Sequence, residues 1–392
     1  MPSDALSAWK ASLHEGLRSL EDRSQRRSLA EIRGLNFCSN DYLGLAEHPT
    51  LREQIAGAVR RAEKIGGTGS RLLSGQTESW RELEDEFAKF AGAEAALFFT
   101  AGYAANLGLL SSLVAKDDIL FSDERNHASL IDGMRLSGAR KVIYPHRNLN
   151  ALEDALRQSA GKPGRKVIVT ETVFSMDGDI APLVELANLA EKYNAALILD
   201  EAHATGVHGP AGRGLAAAAG IAHKVLAVVH TCGKALASSG AFVCGPAVLK
   251  EHLVNHARTF IFSTALPPYF AAQIKAALHL ASGMGEERAS LLQRAAAFRK
   301  ALQAEGFDTA GTASQIVPVV LGDNDATLAA AEHLQREGFA VRGIRPPTVA
   351  EGASRLRLSL TTRISQGELS RFVNSLVAWR SRQTSLASAR HA

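Results

Sequence analysis

Between residues 95 and 245 the hydrophobic positions gather into seven short runs: AALFFT (95–100), DILFSD (118–123), KVIYPH (141–146), KVIVTET (166–172), AALILDEA (195–202), VLAVVHT (225–231) and GAFVCG (240–245). Each run is continuously apolar instead of alternating, which is the pattern of a strand covered on both faces. Helical patterns such as LVELANLAEKYN (183–194) fill the gaps. Strand, helix and strand in turn predict an α/β fold with one large, mostly parallel seven-stranded sheet. After Pro267 and Pro268 a helical stretch runs to about residue 305, and then the rhythm changes. SQIVPVVLG (314–322), a helix over DATLAAAEHLQREG, FAVRGI (339–344) and SRLRLSLT (354–361) predict a smaller C-terminal α+β domain. The expected organisation is an arm at 1–45, a large α/β domain at 46–280, a small domain at 281–382 and a frayed polar tail at 383–392.

Composition narrows the class. A chain of 392 residues with 46% hydrophobic side chains can bury a large core. It has no run of eighteen apolar residues, and its first twenty residues carry charges where a signal peptide has its apolar segment, so we expect a cytoplasmic protein without a membrane partner. Lys and Arg total 44 against 40 Asp and Glu. That small excess, without a basic cluster, favours no nucleic-acid partner. Cys38, Cys232 and Cys244 have neither CxxC spacing nor an even count, so no disulfide framework and no metal site is expected.

In an open parallel sheet, ligands bind beyond the carboxyl ends of the strands, and several of those ends carry chemistry here. Gly102 and Tyr103 open a helix after the first strand, where backbone N–H groups can face a phosphate. His127 follows the second strand, either as a ring that stacks on a flat heterocycle or as a local helix cap. Glu171 and Ser175 follow the fourth strand, and Asp200 and His203 the fifth. A carboxylate at the end of an apolar strand needs a partner. The protonated ring nitrogen of pyridoxal 5′-phosphate is one such partner, and that cofactor also requires a lysine to hold its aldehyde. Lys234 stands just past the sixth strand, with Thr231 beside it. GGTGSRLLSG (66–75) lacks the GK[ST] of a P-loop, so a nucleotide loop is not expected.

From about residue 30 to 380 the chain resembles the α-oxoamine synthases, pyridoxal-phosphate transferases of fold type I, the aspartate-aminotransferase fold. NFCSNDYLGL, GTGSRLLSG, HASLIDG, ETVFSMDGDIAPL, DEAHATGVHG, TCGK, FIFSTALPP and GIRPPTVAEGASRLRLSLT carry the likeness. Around IRPPTV it is similar to the branch that condenses L-alanine with a pimeloyl thioester, on coenzyme A or an acyl-carrier protein, in biotin synthesis. A member using glycine or serine with another acyl-coenzyme A is the alternative. The resemblance implies that Lys234 binds the cofactor aldehyde and moves protons, that Asp200 pairs with the ring nitrogen, and that His127 stacks on the ring. It also implies His203 and Ser175 near the ring oxygen, Thr231 with the backbone of Gly102 and Tyr103 on the phosphate, and Thr264 reaching the phosphate of a partner subunit in a homodimer. Asn40, Thr348 and Arg357 become substrate contacts, with Arg355 the rival of Arg357 for the amino-acid carboxylate. Arg27 is taken from Arg23, Arg26 and Arg27 as the acyl contact.

Overall fold

A computed structural model describes residues 4–31 and 33–390. An exposed helix, Ala5–Asp22, leads to a two-residue strand, β1 (Leu35–Asn36). The seven expected strands follow as β2 (Ala95–Phe99), β3 (Ile119–Asp123), β4 (Arg140–Tyr144), β5 (Lys166–Glu171), β6 (Ala195–Asp200), β7 (Ala227–Thr231) and β8 (Ala241–Gly245). They form one sheet in the order β2-β8-β7-β6-β5-β3-β4. Only β8 runs antiparallel, against both β2 and β7. The loop at 232–240 is too short for a crossover, so β8 must turn back beside β7. Side chains alternate between the two covered faces: Leu120, Val167, Val169 and Ile198 bury in one apolar cluster, and Ile119, Phe121, Ile168 and Leu197 in the other. Each such side chain contributes about 1.5–3 kcal/mol by leaving water.

The segment expected as the small domain contains β9 (Ile316–Gly322), β10 (Phe339–Ala340), β11 (Gly343–Ile344) and β12 (Ser354–Ser359). FAVRGI, expected as one strand, divides between two sheets. β10 pairs in parallel with β1, whereas β11 joins β12 and β9 in an antiparallel sheet with β12 at its centre. The demand comes from the arm, whose Leu35 and Phe37 amides donate to the carbonyls of Gly338 and Ala340 at 2.9 and 3.0 Å. Phe37 packs on Phe372, with ring centroids 4.8 Å apart, and Tyr42, Leu43 and Leu45 are buried in the same core. The arm is thereby fixed to the C-terminal segment through β10 and Phe372, and it carries Asn40 and Tyr42 towards the ends of the large sheet. The long helical stretch breaks at Met284 into Tyr269–Gly283 and Gly285–Ala304, and the last helix, Gln366–Arg390, crosses the expected boundary at 382/383. Residues 391–392 of the expected tail lie outside the described residues.

The glycines of GGTGSRLLSG serve packing. A Cβ on Gly67 would lie 2.0 Å from the Ala265 carbonyl oxygen, and one on Gly75 would lie 2.4 Å from the Ala265 Cβ. That loop is pressed against the segment holding Thr264, with which Ser70 forms an isolated bridge.

Candidate active site

Four polar residues end strands of the large sheet on one rim: Asp123, Glu171, Asp200 and Thr231. Asp200 is buried and sits in register with Glu171. Its Oδ2 accepts from Asn106 Nδ2 at 2.6 Å and its Oδ1 from the Ala202 amide at 2.8 Å. Those two bonds leave lone pairs free, and among the described residues no cationic side chain lies in ion-pair contact with it. Glu171 accepts from the Ser175 amide through Oε2, while its buried Oε1 has no partner. Burial, followed by the charge of Asp200, pushes the Glu171 carboxyl well above the usual carboxylate range.

Lys234 lies in the β7–β8 loop, which is closed by the Cys232 amide donating to the Gly240 carbonyl at 2.9 Å. Burial lowers its ammonium pKa against the opposing pull of Asp200 and Glu171. His127 caps the helix Ala128–Ser137, its Nδ1 accepting from the Ser129 amide and lying 2.8 Å from Ser129 Oγ. The capping role and a stacking role are compatible, because the cap uses Nδ1 alone and the residue is exposed. Burial lowers the His127 pKa, with Asp200 opposing and Lys234 adding to the shift.

The small domain completes the rim through the turn that follows β5. That turn is closed by a bridge between Val173 and Ile180, and it needs a glycine at 178, where φ is +69° and a Cβ would meet the Ile316 carbonyl oxygen at 2.1 Å. Arg357 Nε donates to the Ser175 carbonyl at 2.5 Å, and its Nη1 donates to Ser359 Oγ and Asn40 Oδ1 at 2.7 and 3.2 Å. Arg355, two residues away on the same face of β12, is paired with Asp177, which also binds Arg125 at 2.8 Å. The pairing neutralises Arg355. His203 is buried with Nδ1 2.6 Å from the Tyr42 hydroxyl, and burial, with the charges of Lys234 and Arg357, lowers its pKa far below the usual histidine value.

The same turn is held from outside by His146, which lies 2.9 Å from Asp123 Oδ1 and 2.7 Å from Asp179 Oδ2. Arg147 also contacts Asp179, and the Phe174 ring meets the imidazole edge-on at 4.4 Å. Burial works against the cation, but the bonds to Asp123 and Asp179 outweigh it and raise the His146 pKa to about 9. The folded value exceeds the unfolded one near 6.5, so this contribution is complete below about pH 6.5 and is lost as pH rises through about 9. We expect His146→Gln to lower stability by about 1–2 kcal/mol near pH 6, allowing for solvent screening, and by less near pH 10. Urea melts of both proteins at the two pH values check this; an equal difference at both would show that the ion pairs contribute nothing.

Gly102 opens the helix Gly102–Leu113 against Thr231, whose Cγ2 a Cβ at 102 would approach to 2.8 Å. Tyr103 next to it is exposed, and its hydroxyl bonds to Asp132. The structure thus gathers Gly102, His127, Glu171, Ser175, Asp200, His203, Thr231, Lys234, Asn40 and Arg357 about one rim. It keeps three expected residues apart. Thr264 is exposed on its bridge to Ser70. Arg27 and Thr348 meet each other at 3.2 Å, and among the described residues no hydrogen bond or ion pair joins them to the Asp200–Lys234 group. Arg26 pairs with Glu21, and Arg23 turns back onto the Ser19 carbonyl. Sequence reasoning missed Asn106, Ser129 and Tyr42. Asn106 had a signal, a lone amide in the apolar helix GYAANLGLL one turn after Gly102.

A buried carboxylate lacking a cationic side chain, a glycine-lined helix start beside a threonine, an orphaned carboxyl oxygen and a desolvated lysine together fit pyridoxal phosphate. The profile of the family described as Aminotransferase class I and II matches residues 32–376, and the chain belongs to that family. Among curated relatives, the 8-amino-7-oxononanoate synthase of Geobacter sulfurreducens is 46% identical over 93% of this chain and 93% of its own. A solved 8-amino-7-oxononanoate synthase from Francisella tularensis superposes with a TM-score of 0.78 at 30% identity, covering 90% of this chain and 99% of that one. Serine palmitoyltransferase from S. paucimobilis, solved with pyridoxal phosphate and myriocin, gives 0.87 at 28% identity over 96% and 98%.

Proposed function

We propose that this chain catalyses the decarboxylative condensation of L-alanine with a pimeloyl thioester to 8-amino-7-oxononanoate, releasing carbon dioxide and a thiol, with pyridoxal 5′-phosphate as cofactor. The carrying observation is the buried Asp200 facing Lys234 on a rim that also holds Arg357. When bound, the cofactor supplies an electron sink that acidifies the alanine Cα–H. Asp200, held in place by Asn106 and the Ala202 amide, would keep the proton on the ring nitrogen. Lys234 would hold the aldehyde, and its free amine would take and return the Cα proton, a task favoured by its lowered pKa. Thr231 and the backbone at Gly102 and Tyr103 would hold the phosphate. His127 would stack on the ring, and Ser175 and His203 would serve its oxygen. Arg357 and Asn40 grip the alanine carboxylate, since Arg355 is already neutralised by Asp177. Arg27 and Thr348 take the acyl substrate.

We place the enzyme in the cytoplasm as a homodimer without nucleic-acid or membrane partners. Exposed Leu72, Leu73 and Phe262, on the two segments joined by the Ser70–Thr264 bridge, support the pairing, which light scattering checks. No helix among the described residues is long and apolar enough to cross a membrane.

The test is product mass and carbon dioxide release with pimeloyl thioester and alanine, glycine or serine. Alanine is expected to lead in kcat/KM by roughly ten- to a hundredfold, the worth of one methyl group in a fitted pocket. Equal use of glycine would move the chain to the glycine-using branch. Arg357→Lys is expected to raise the KM for alanine at least roughly tenfold, because an ammonium cannot keep the bonds to Ser175, Ser359 and Asn40 that orient the guanidinium and also reach the carboxylate. An unchanged KM would return the clamp to Arg355.

A further inference from the structure

Tyr42 stands between the two halves of this site, and the proposed reaction as set out above gives it no task. Its ring is fully buried, and its hydroxyl lies 2.6 Å from His203 Nδ1 and 3.1 Å from Asn40 Oδ1. A phenol has one hydrogen to donate, so only one of these contacts receives it. Asn40 Oδ1 already accepts from Arg357 Nη1 and from Ser359 Oγ, each at 3.2 Å, which fills both lone pairs of an amide oxygen. The shorter contact and the only free acceptor are therefore both at His203 Nδ1. Among the described residues His203 Nε2 has no hydrogen-bond partner, and the backbone of the same residue is held by Gln315 Nε2 donating to its carbonyl at 2.8 Å.

We propose that Tyr42 is a positioning residue: its O–H donates to His203 Nδ1, fixes the neutral imidazole as the Nε2–H tautomer, and so presents a hydrogen-bond donor to the ring oxygen of the cofactor. The proposal rests on the reading of the site given under the preceding heading. The donors around Asn40 extend its consequence. Arg357 and Ser359 occupy the asparagine oxygen, which keeps the tyrosine proton on the histidine side. The carboxylate clamp and the cofactor-facing imidazole are then joined through one hydroxyl. Both His203 and Tyr42 stay neutral across the working pH range: burial lowers the histidine and raises the phenol. The link is a fixed hydrogen bond, and no charge moves through it.

The experiment is a double-mutant cycle of Tyr42→Phe and His203→Asn in the cofactor-loaded enzyme. Tyr42→Phe keeps the packed ring and deletes one oxygen. Each variant is read for kcat and KM with alanine and pimeloyl thioester, and for the pH midpoint of the long-wavelength absorption of the lysine-bound cofactor. Tyr42→Phe is expected to lower kcat by roughly ten- to thirtyfold, as one lost hydrogen bond to a cofactor contact implies, with KM for alanine changed less than about threefold. It is expected to move the absorption midpoint in the same direction as His203→Asn, and to add nothing in the His203→Asn background. Multiplicative effects in the double variant, or an unshifted midpoint in Tyr42→Phe, overturn the proposal. Because the midpoint needs no acyl substrate, it still decides the inference if alanine and pimeloyl thioester yield no product, the outcome that would defeat the proposed function alone. A second measurement needs no variant: ¹⁵N spectra of the histidine-labelled, cofactor-free protein should show His203 protonated at Nε2, and protonation at Nδ1 overturns the proposal.

Discussion

Lys234→Ala is expected to yield a protein in which borohydride fixes no cofactor, and whose turnover falls by roughly a thousandfold or more. Two losses combine: the covalent anchor of the aldehyde, and the amine that moves the Cα proton, where a positioned acid–base group alone is worth roughly 10² to 10⁴. The environment of Lys234 suits both tasks. Burial lowers its pKa, while Asp200 and Glu171 moderate the shift, so the amine is a usable base closer to neutral pH than a solvated lysine. Because the side chain lies in a loop closed by its own Cys232–Gly240 backbone bond, its removal should leave the fold intact. Parent-like labelling of the variant would sink the assignment, and melting temperatures of the two cofactor-free proteins separate loss of chemistry from loss of structure.

For Asp200→Asn the expected result is a protein that still binds cofactor but turns over roughly a hundredfold more slowly, equivalent to about 2–4 kcal/mol of transition-state stabilisation. An amide cannot keep a proton on the ring nitrogen. The substitution also disturbs the protein's own bonds, since Asn106 Nδ2 and the Ala202 amide both donate to the present carboxylate. An asparagine turned so that its NH₂ faces Asn106 would set two donors against each other. Asn106→Ala separates the effects: it leaves the charge of Asp200 and removes the amide that orients it and also bonds Ser129 Oγ, so a smaller loss is expected. An Asp200→Asn enzyme within threefold of the parent would show that the carboxylate is structural.

The large sheet was legible in the sequence because a strand buried on both faces must be continuously apolar, and each of the seven expected runs overlaps one observed strand; the exception to that burial is the edge strand β4, whose Arg140, Lys141 and Ile143 are exposed. Most of the chemistry was legible for a related reason. Gly102, His127, Glu171, Asp200, Thr231 and Lys234 each stand at or just past the end of such a run, so their order along the chain already placed them on one rim. Short range also served at Ser175, four residues past the end of β5. The small domain was less legible. FAVRGI reads as one strand because its local pattern holds no sign that β1, some three hundred residues earlier, will claim its first half.

What the tertiary structure alone decided was the pairing of groups far apart in sequence. SRLRL offers two arginines on one face of a strand, and nothing local distinguishes them. Asp177 neutralises Arg355 while Asn40, Ser175 and Ser359 orient Arg357, and that selection exists only where the arm, the turn after β5 and β12 meet. Tyr42 and Asn106 escaped notice because a tyrosine and an asparagine carry no chemistry in a pattern of hydrophobic and polar positions. They acquire it from their contacts to His203 and to Asp200, across separations that only a folded chain closes. Sequence determined which strand ends carry reactive groups, since that follows from local burial. Which of those groups are paired, neutralised or left with a free lone pair depends on hydrogen-bond geometry good to a few tenths of an ångström, and only packing supplies it.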